Sequence, residues 1–155
     1  MNDVPPVESL LVLLKHFYEE TMPFNKLIGI KIESMSFQDT VIRIDMQDKL
    51  IGNFEKGILH GGVISSVLDF TGGVIAQLHV LQGLKGSSIQ ELAKRLTNMG
   101  TIDIRVDYVR PGKGSYFRAT GSILRVGNKV AVVRTELIND EGILIAAGTG
   151  TYLVG

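Results

Sequence analysis

One stretch limits what this chain can become. Residues 63–82, opened by His60-Gly61-Gly62, are apolar on nearly every side of a helix, and one carboxylate, Asp69, sits in their midst. A helix that is hydrophobic all round belongs in the centre of a fold. An ionisable group placed there is unfavourable unless it is paired, hydrogen-bonded or used in chemistry. The adjacent glycines let other atoms approach the backbone closely at the helix start, where free N–H groups point outward. A buried carboxylate on the same helix as such donors suits acyl-transfer chemistry.

The remaining sequence supplies the wrapping. From residue 101 the pattern switches to period two, and 101–109, 116–126, 129–139 and 143–154 are rich in Val, Ile, Thr and Tyr. Pro111-Gly112, Gly127-Asn128 and Asp140-Glu141-Gly142 separate them, and Gly127-Asn128 is a two-residue hairpin signal. Residues 30–46 alternate loosely and break near Gln38-Asp39, as a hairpin would. Ahead of them, after Pro5-Pro6, residues 7–20 place Leu10, Leu11, Leu13, Leu14, Phe17 and Tyr18 on one helical face, which Pro23 closes. Residues 88–96 are weakly helical. One apolar helix and several antiparallel strands have an economical solution, sheet wrapped round helix. The expectation is an α+β fold forming one domain over 1–155, with 1–23 as an N-terminal helical extension.

Composition narrows the partners. Sixteen basic and sixteen acidic residues cancel, so no global field draws the chain to nucleic acid or to an anionic membrane. The absence of cysteine excludes disulfides and thiolate catalysis and fits a reducing compartment. Asp3 and Glu8 precede a short apolar run, unlike a signal peptide, and the long apolar run carries Gly, Ser, Gln and an acid, unlike a membrane span. A soluble cytoplasmic protein without membrane insertion is expected. His16, His60 and His79 lie far apart and no cysteine joins them, so no metal site is expected.

The run Gly57, His60, Gly61, Gly62 and Asp69, followed by TIDIRVDYVRPGKG and RVGNKVAVVRTELINDEGILIAAGTGTYLV, resembles hotdog-fold thioesterases of the phenylacetyl-CoA (PaaI-like) group. The likeness covers residues 24–154. It extends to a bacterial subgroup acting on medium- to long-chain acyl-CoA, which has a similar LHGGVISSVLD run and an insertion before TIDIRVDY. The resemblance implies a hotdog fold, a curved antiparallel sheet around one long central helix, and hydrolysis of acyl-CoA to a free acid and CoA. It implies Asp69 as nucleophile or general base and the Gly62 N–H as donor to the thioester carbonyl. Asn53 matches the family's asparagine but stands one residue further from the glycine. Thr101 falls where a relative has a water-ordering serine. Sites in this family form between two subunits, so the resemblance implies a homodimer as minimal unit and a homotetramer built from it. No cofactor is implied, since coenzyme A arrives as part of the substrate.

The residues also carry plainer readings. His60 can serve as a base or can fix the turn through hydrogen bonds, and the second is favoured. Gly61, Val63 and Phe70 are expected near the acyl group, and Arg110 or Arg125 near the CoA phosphates, where Arg suits the contact. A glycine pair inside the helix, Gly72-Gly73, indicates close approach by another backbone, by the acyl chain or by core neighbours. Two rivals remain, a hotdog hydratase or dehydratase and a non-catalytic acyl-CoA-binding module. His60 and Asp69 are nine residues apart and share no adjacent turns, against the first. The acid itself argues against the second.

Overall fold

The computed structural model describes residues 7–84 and 87–155; Pro5 and Pro6 lie outside them. Helix α1 (Val7–His16) runs directly into a π-helical turn, Phe17–Thr21. The chain breaks before Pro23, as expected, but Pro23 then opens a further helix, α2 (Pro23–Ile28). Proline closes one helix and starts the next because its fixed φ and missing N–H suit the first helical position. Gly29, at φ 78°, supplies the left-handed cap, a conformation that glycine adopts without strain.

Strands β1 (Lys31–Met35) and β2 (Thr40–Asp45) pair across the expected turn. Next come two short strands that the sequence did not signal, β3 (Ile51–Asn53) and β4 (Ile58–Leu59), which form a separate two-stranded arm. They are too short for alternation to register. Helix α3 (Gly61–Gly83) follows, then α4 (Ile89–Thr97), with Ser88 as N-cap accepting from the Glu91 N–H at 3.3 Å. Strands β5 (Gly100–Tyr108), β6 (Tyr116–Val126), β7 (Val130–Asn139) and β8 (Leu144–Leu153) complete the chain.

Six strands form one antiparallel sheet in the order β1-β2-β6-β7-β8-β5. Alternate residues of β7, including Ala131, Val133 and Leu137, join Phe117 of β6 and Ile145 of β8 on the inner face. Val67, Leu68, Thr71 and Val74 of α3 pack into that concave face and are almost wholly buried. This is the hotdog arrangement. By length and composition alone α3 could cross a membrane, but here the sheet holds it. On the outer face of β1, β2 and β6, Arg43 pairs with Glu33 and Asp45, and Arg118 pairs with Glu33. That face is the solvated one.

The sheet of one chain covers only part of the helix. Asp69, Phe70, Gly73 and Gln77 are half-buried rather than enclosed. A helix apolar on nearly every side therefore keeps one flank that its own sheet does not cover.

Candidate active site

Helix α3 starts where the short arm ends. His60, extended at φ −63° and ψ 135°, is its N-cap, and its Nδ1 accepts the Gly62 N–H at 2.8 Å. Its own N–H donates to the Leu50 carbonyl at 2.8 Å. His60 thus fixes the turn. It sits nine residues from Asp69, about 13 Å along the axis.

This capping bond corrects the expectation for Gly62, whose amide is already engaged. The first helical N–H groups have no intrahelical acceptor, and among the described residues nothing accepts the Gly61 N–H. The free donor at the corner is therefore one residue earlier. Tyr108 of β5 holds it in place, its Oη donating to the Gly61 carbonyl at 3.0 Å.

Asp69 is bonded across the fold rather than along its own helix. Thr101 Oγ1, at the start of β5, donates to Asp69 Oδ1 at 2.9 Å. Ser65, Ser66 and Thr71, the polar neighbours that its own helix offers, instead return their hydroxyls to helix carbonyls. Tyr152 of β8, directly opposite Thr101 in the sheet, donates its Oη to the Asp69 backbone carbonyl at 3.0 Å. Burial, and secondarily the Asp69 charge, push the Tyr152 phenol up, so it stays a protonated donor. Asp69 lines a cleft with Thr101 and Tyr152.

The glycine pair divides under this view. A Cβ on Gly72 would lie 2.2 Å from Tyr152 Oη, and one on Gly150 2.4 Å from the same atom. The buried Tyr152 ring is clamped between them. A Cβ on Gly73 meets Tyr152 only at 3.7 Å, an ordinary contact. Gly72→Ala is expected to destabilise: overpacking costs about 1–3 kcal/mol and the lost hydrogen bond about 1 kcal/mol, against a helix-propensity gain of about 1 kcal/mol. Gly73→Ala keeps only the gain, worth a rise of roughly 2–4 °C in melting temperature for a chain of this size. Thermal unfolding of the two variants side by side checks this, and a shift in the same direction for both would contradict it.

The remaining expected residues scatter. Phe70 lines the cleft at Asp69, together with Tyr18, Met22, Gln77 and Thr101. Val63 lines a different one, at the helix start, with Phe24, Leu27 and His60. Asn53 Oδ1 accepts the Lys56 N–H at 3.1 Å and closes the turn between β3 and β4. Arg110 donates to the Leu144 carbonyl and shares a loop cleft with Lys113, but also with Asp140 and Glu141, which offset their charge toward a phosphate. Arg125 is exposed on β6 opposite Val132, away from both clefts. Among the described residues no three His, Cys, Asp or Glu side chains converge as metal ligands would.

The family model for the thioesterase superfamily matches residues 56–146, which include the capped corner, Asp69 and Thr101. The chain belongs to the thioesterase superfamily. Along its full length, and that of the relative, this thioesterase is 44% identical to the medium/long-chain acyl-CoA thioesterase YigI of Escherichia coli K12. A crystal structure from Shewanella oneidensis, of a protein related to the same superfamily, is 42% identical and superposes with a TM-score of 0.93, covering 98% of this chain and 100% of that one. A Bacillus halodurans protein solved with CoA is 24% identical, with a TM-score of 0.70 over 95% of this chain and 87% of its own, and shares the fold.

Three tyrosines of this thioesterase escaped sequence reasoning. Tyr18 reads as one more apolar residue on a helix face, and Tyr108 and Tyr152 as members of alternating strands. For Tyr18 and Tyr152 the hydroxyl is the only hint, since a buried Tyr needs a partner for its O–H; Tyr108 is 55% exposed and gives none.

Proposed function

We propose that this chain is an acyl-CoA thioesterase, releasing coenzyme A and a free acid, and that each of its sites is shared by two copies of the chain. The observation that supports this most is the position of Asp69, half-buried, held by Thr101 and lining a cleft, on the same helix as an unengaged amide at Gly61. The thioester oxygen would lie on the Gly61 N–H, replacing Gly62 in that role. Such a donor must come about 2.7–3.1 Å from the developing charge.

One helix cannot serve one carbonyl with both groups. Gly61 and Asp69 are separated by about 12 Å of helix rise. A hydrogen bond, a carbonyl bond and a near-attack approach together span about 7 Å. The short Asp side chain, tilted back toward the helix start, does not close the difference. A second copy of the chain resolves it by bringing its Asp69 to the first copy's corner. Exposed apolar residues flank both halves of the site: Phe24 and Leu27 beside the corner, and Ile102 beside Thr101 on the free edge strand. Such patches on a soluble chain mark contact surfaces.

Asp69 would take a proton from water as the water oxygen attacks the carbonyl carbon, or attack directly to form a mixed anhydride that water then opens. In either route the C–S bond breaks and coenzyme A leaves as a thiolate that gains a proton. Medium and long acyl chains are the favoured substrates, supported by the name of the 44% identical Escherichia coli relative. A panel of acyl-CoAs from acetyl to stearoyl, with phenylacetyl-CoA, read by free-thiol release, tests the reading. Tight binding with no thiol released across the panel would leave an acyl-CoA-binding module in its place.

A further inference from the structure

Packing explains Gly72 but not Gly73. A methyl group at 73 would fit against Tyr152, and alanine is the better helix former. What the missing side chain leaves is space. Asp69, Gly73 and Gln77 fall at successive fourth positions, so they form one row along the exposed flank of α3. The cleft of about 160 Å³ beside Asp69 follows that row, and Phe70, Val74, Met22 and Met99 contribute apolar wall. An apolar cavity of about 150 Å³ accommodates a benzene ring, so the cleft that one chain lines admits part of an acyl chain. The two thioethers are flexible enough to adapt to a chain passing between them.

Tyr18 closes the end of the row. Its Oη donates to Gln77 Oε1, and its ring meets Phe70 edge-on with centroids 5.4 Å apart. It is 5% exposed, and burial pushes its phenol up. The backbone beneath it is held from both sides. Buried Asn25 donates to the Tyr18 carbonyl at 3.0 Å, and Glu19 accepts the Ile32 N–H at 2.6 Å. The π-helical turn that carries Tyr18 is a rare geometry, frequent at functional sites. Tyr18 and the turn that carries it lie in the N-terminal extension, outside the residues matched by the superfamily model.

We propose that Tyr18 and Gly73 together set the length of acyl chain that this enzyme accepts, Gly73 by leaving the cleft open beside Asp69 and Tyr18 by ending it at Gln77. This rests on the thioesterase reading of Asp69. The full chain and its Gly73→Ala and Tyr18→Ala variants are compared over the acyl-CoA series by kcat/KM. One methylene in an apolar pocket is worth roughly 10–200-fold in such a ratio. The preference for long over short chains is therefore expected to fall at least about tenfold in Gly73→Ala and to rise about tenfold in Tyr18→Ala. Gly73→Ala is the variant expected to gain stability, so it decides the matter even where Tyr18→Ala does not fold. Parallel profiles for wild type and Gly73→Ala would overturn the proposal and leave the thioesterase reading standing. No thiol release by the wild type from any acyl-CoA would overturn both.

Discussion

Asp69→Asn is expected to lower thiol release from acyl-CoA by roughly 10²–10⁴-fold, the range that a positioned general base contributes. The substitution is close to isosteric, and the amide oxygen can still accept from Thr101 Oγ1, as Asp69 Oδ1 does at 2.9 Å. The helix and its seat on the sheet do not depend on the charge. The loss should therefore appear in kcat, with the melting temperature nearly unchanged. A variant that keeps near-full turnover would show that the carboxylate takes no part in the reaction, and a variant that does not fold would show that its role is structural.

Gly61→Pro tests the other half of the site with comparable force. Proline has no N–H, and it is at home in the first helical position. His60 already has the extended conformation, φ −63° and ψ 135°, that a residue before proline adopts. The nearest obstacle to a Cβ at 61 is the ring of Tyr108, 3.3 Å away and 55% exposed, with room to turn outward. The change removes the amide donor and crowds the Tyr108 ring, so Tyr108→Phe, which loses only the bond to the Gly61 carbonyl, is its control. Loss of a single donor to a developing oxyanion costs about 10²–10³ in kcat, and single-turnover thiol release with the Gly61→Pro enzyme reads it. Undiminished turnover would return the role to another amide of the corner.

The long helix, the strands after residue 101 and the break near Gln38-Asp39 were legible because each rests on local sequence pattern. The pairing of β5 with β8, rather than with β6 across Pro111-Gly112, was not, since periodicity carries no information on which strands meet. Asp69 was legible for a related reason, as the one charge in an apolar run. The arm of β3 and β4 was not, because strands of three and two residues are too short to show a period. The choice between Gly61 and Gly62 was not legible either. It turns on which amide the His60 imidazole accepts from, and that depends on a side-chain rotamer. Asn53 stands out for its place just before the motif and Arg125 for its place beside a hairpin break; in the single chain Asn53 closes a turn and Arg125 is exposed on β6. The division between Gly72 and Gly73 needed Tyr152, a residue 80 positions away on the opposite strand layer, whose ring occupies the space beside only one of them.

The proposed site is assembled from two copies, the corner at Gly61 from one and Asp69 from the other. Co-expression of the Asp69→Asn and Gly61→Pro chains under two different affinity tags, followed by isolation of the mixed dimer, tests this most directly. In a shared-site dimer one of the two sites then holds an intact Asp69 and an intact Gly61, and the other holds neither. Thiol release by the mixed dimer is expected at about half that of the wild-type dimer, far above either parent. A mixed dimer no more active than its parents would place both groups in one chain and contradict the account.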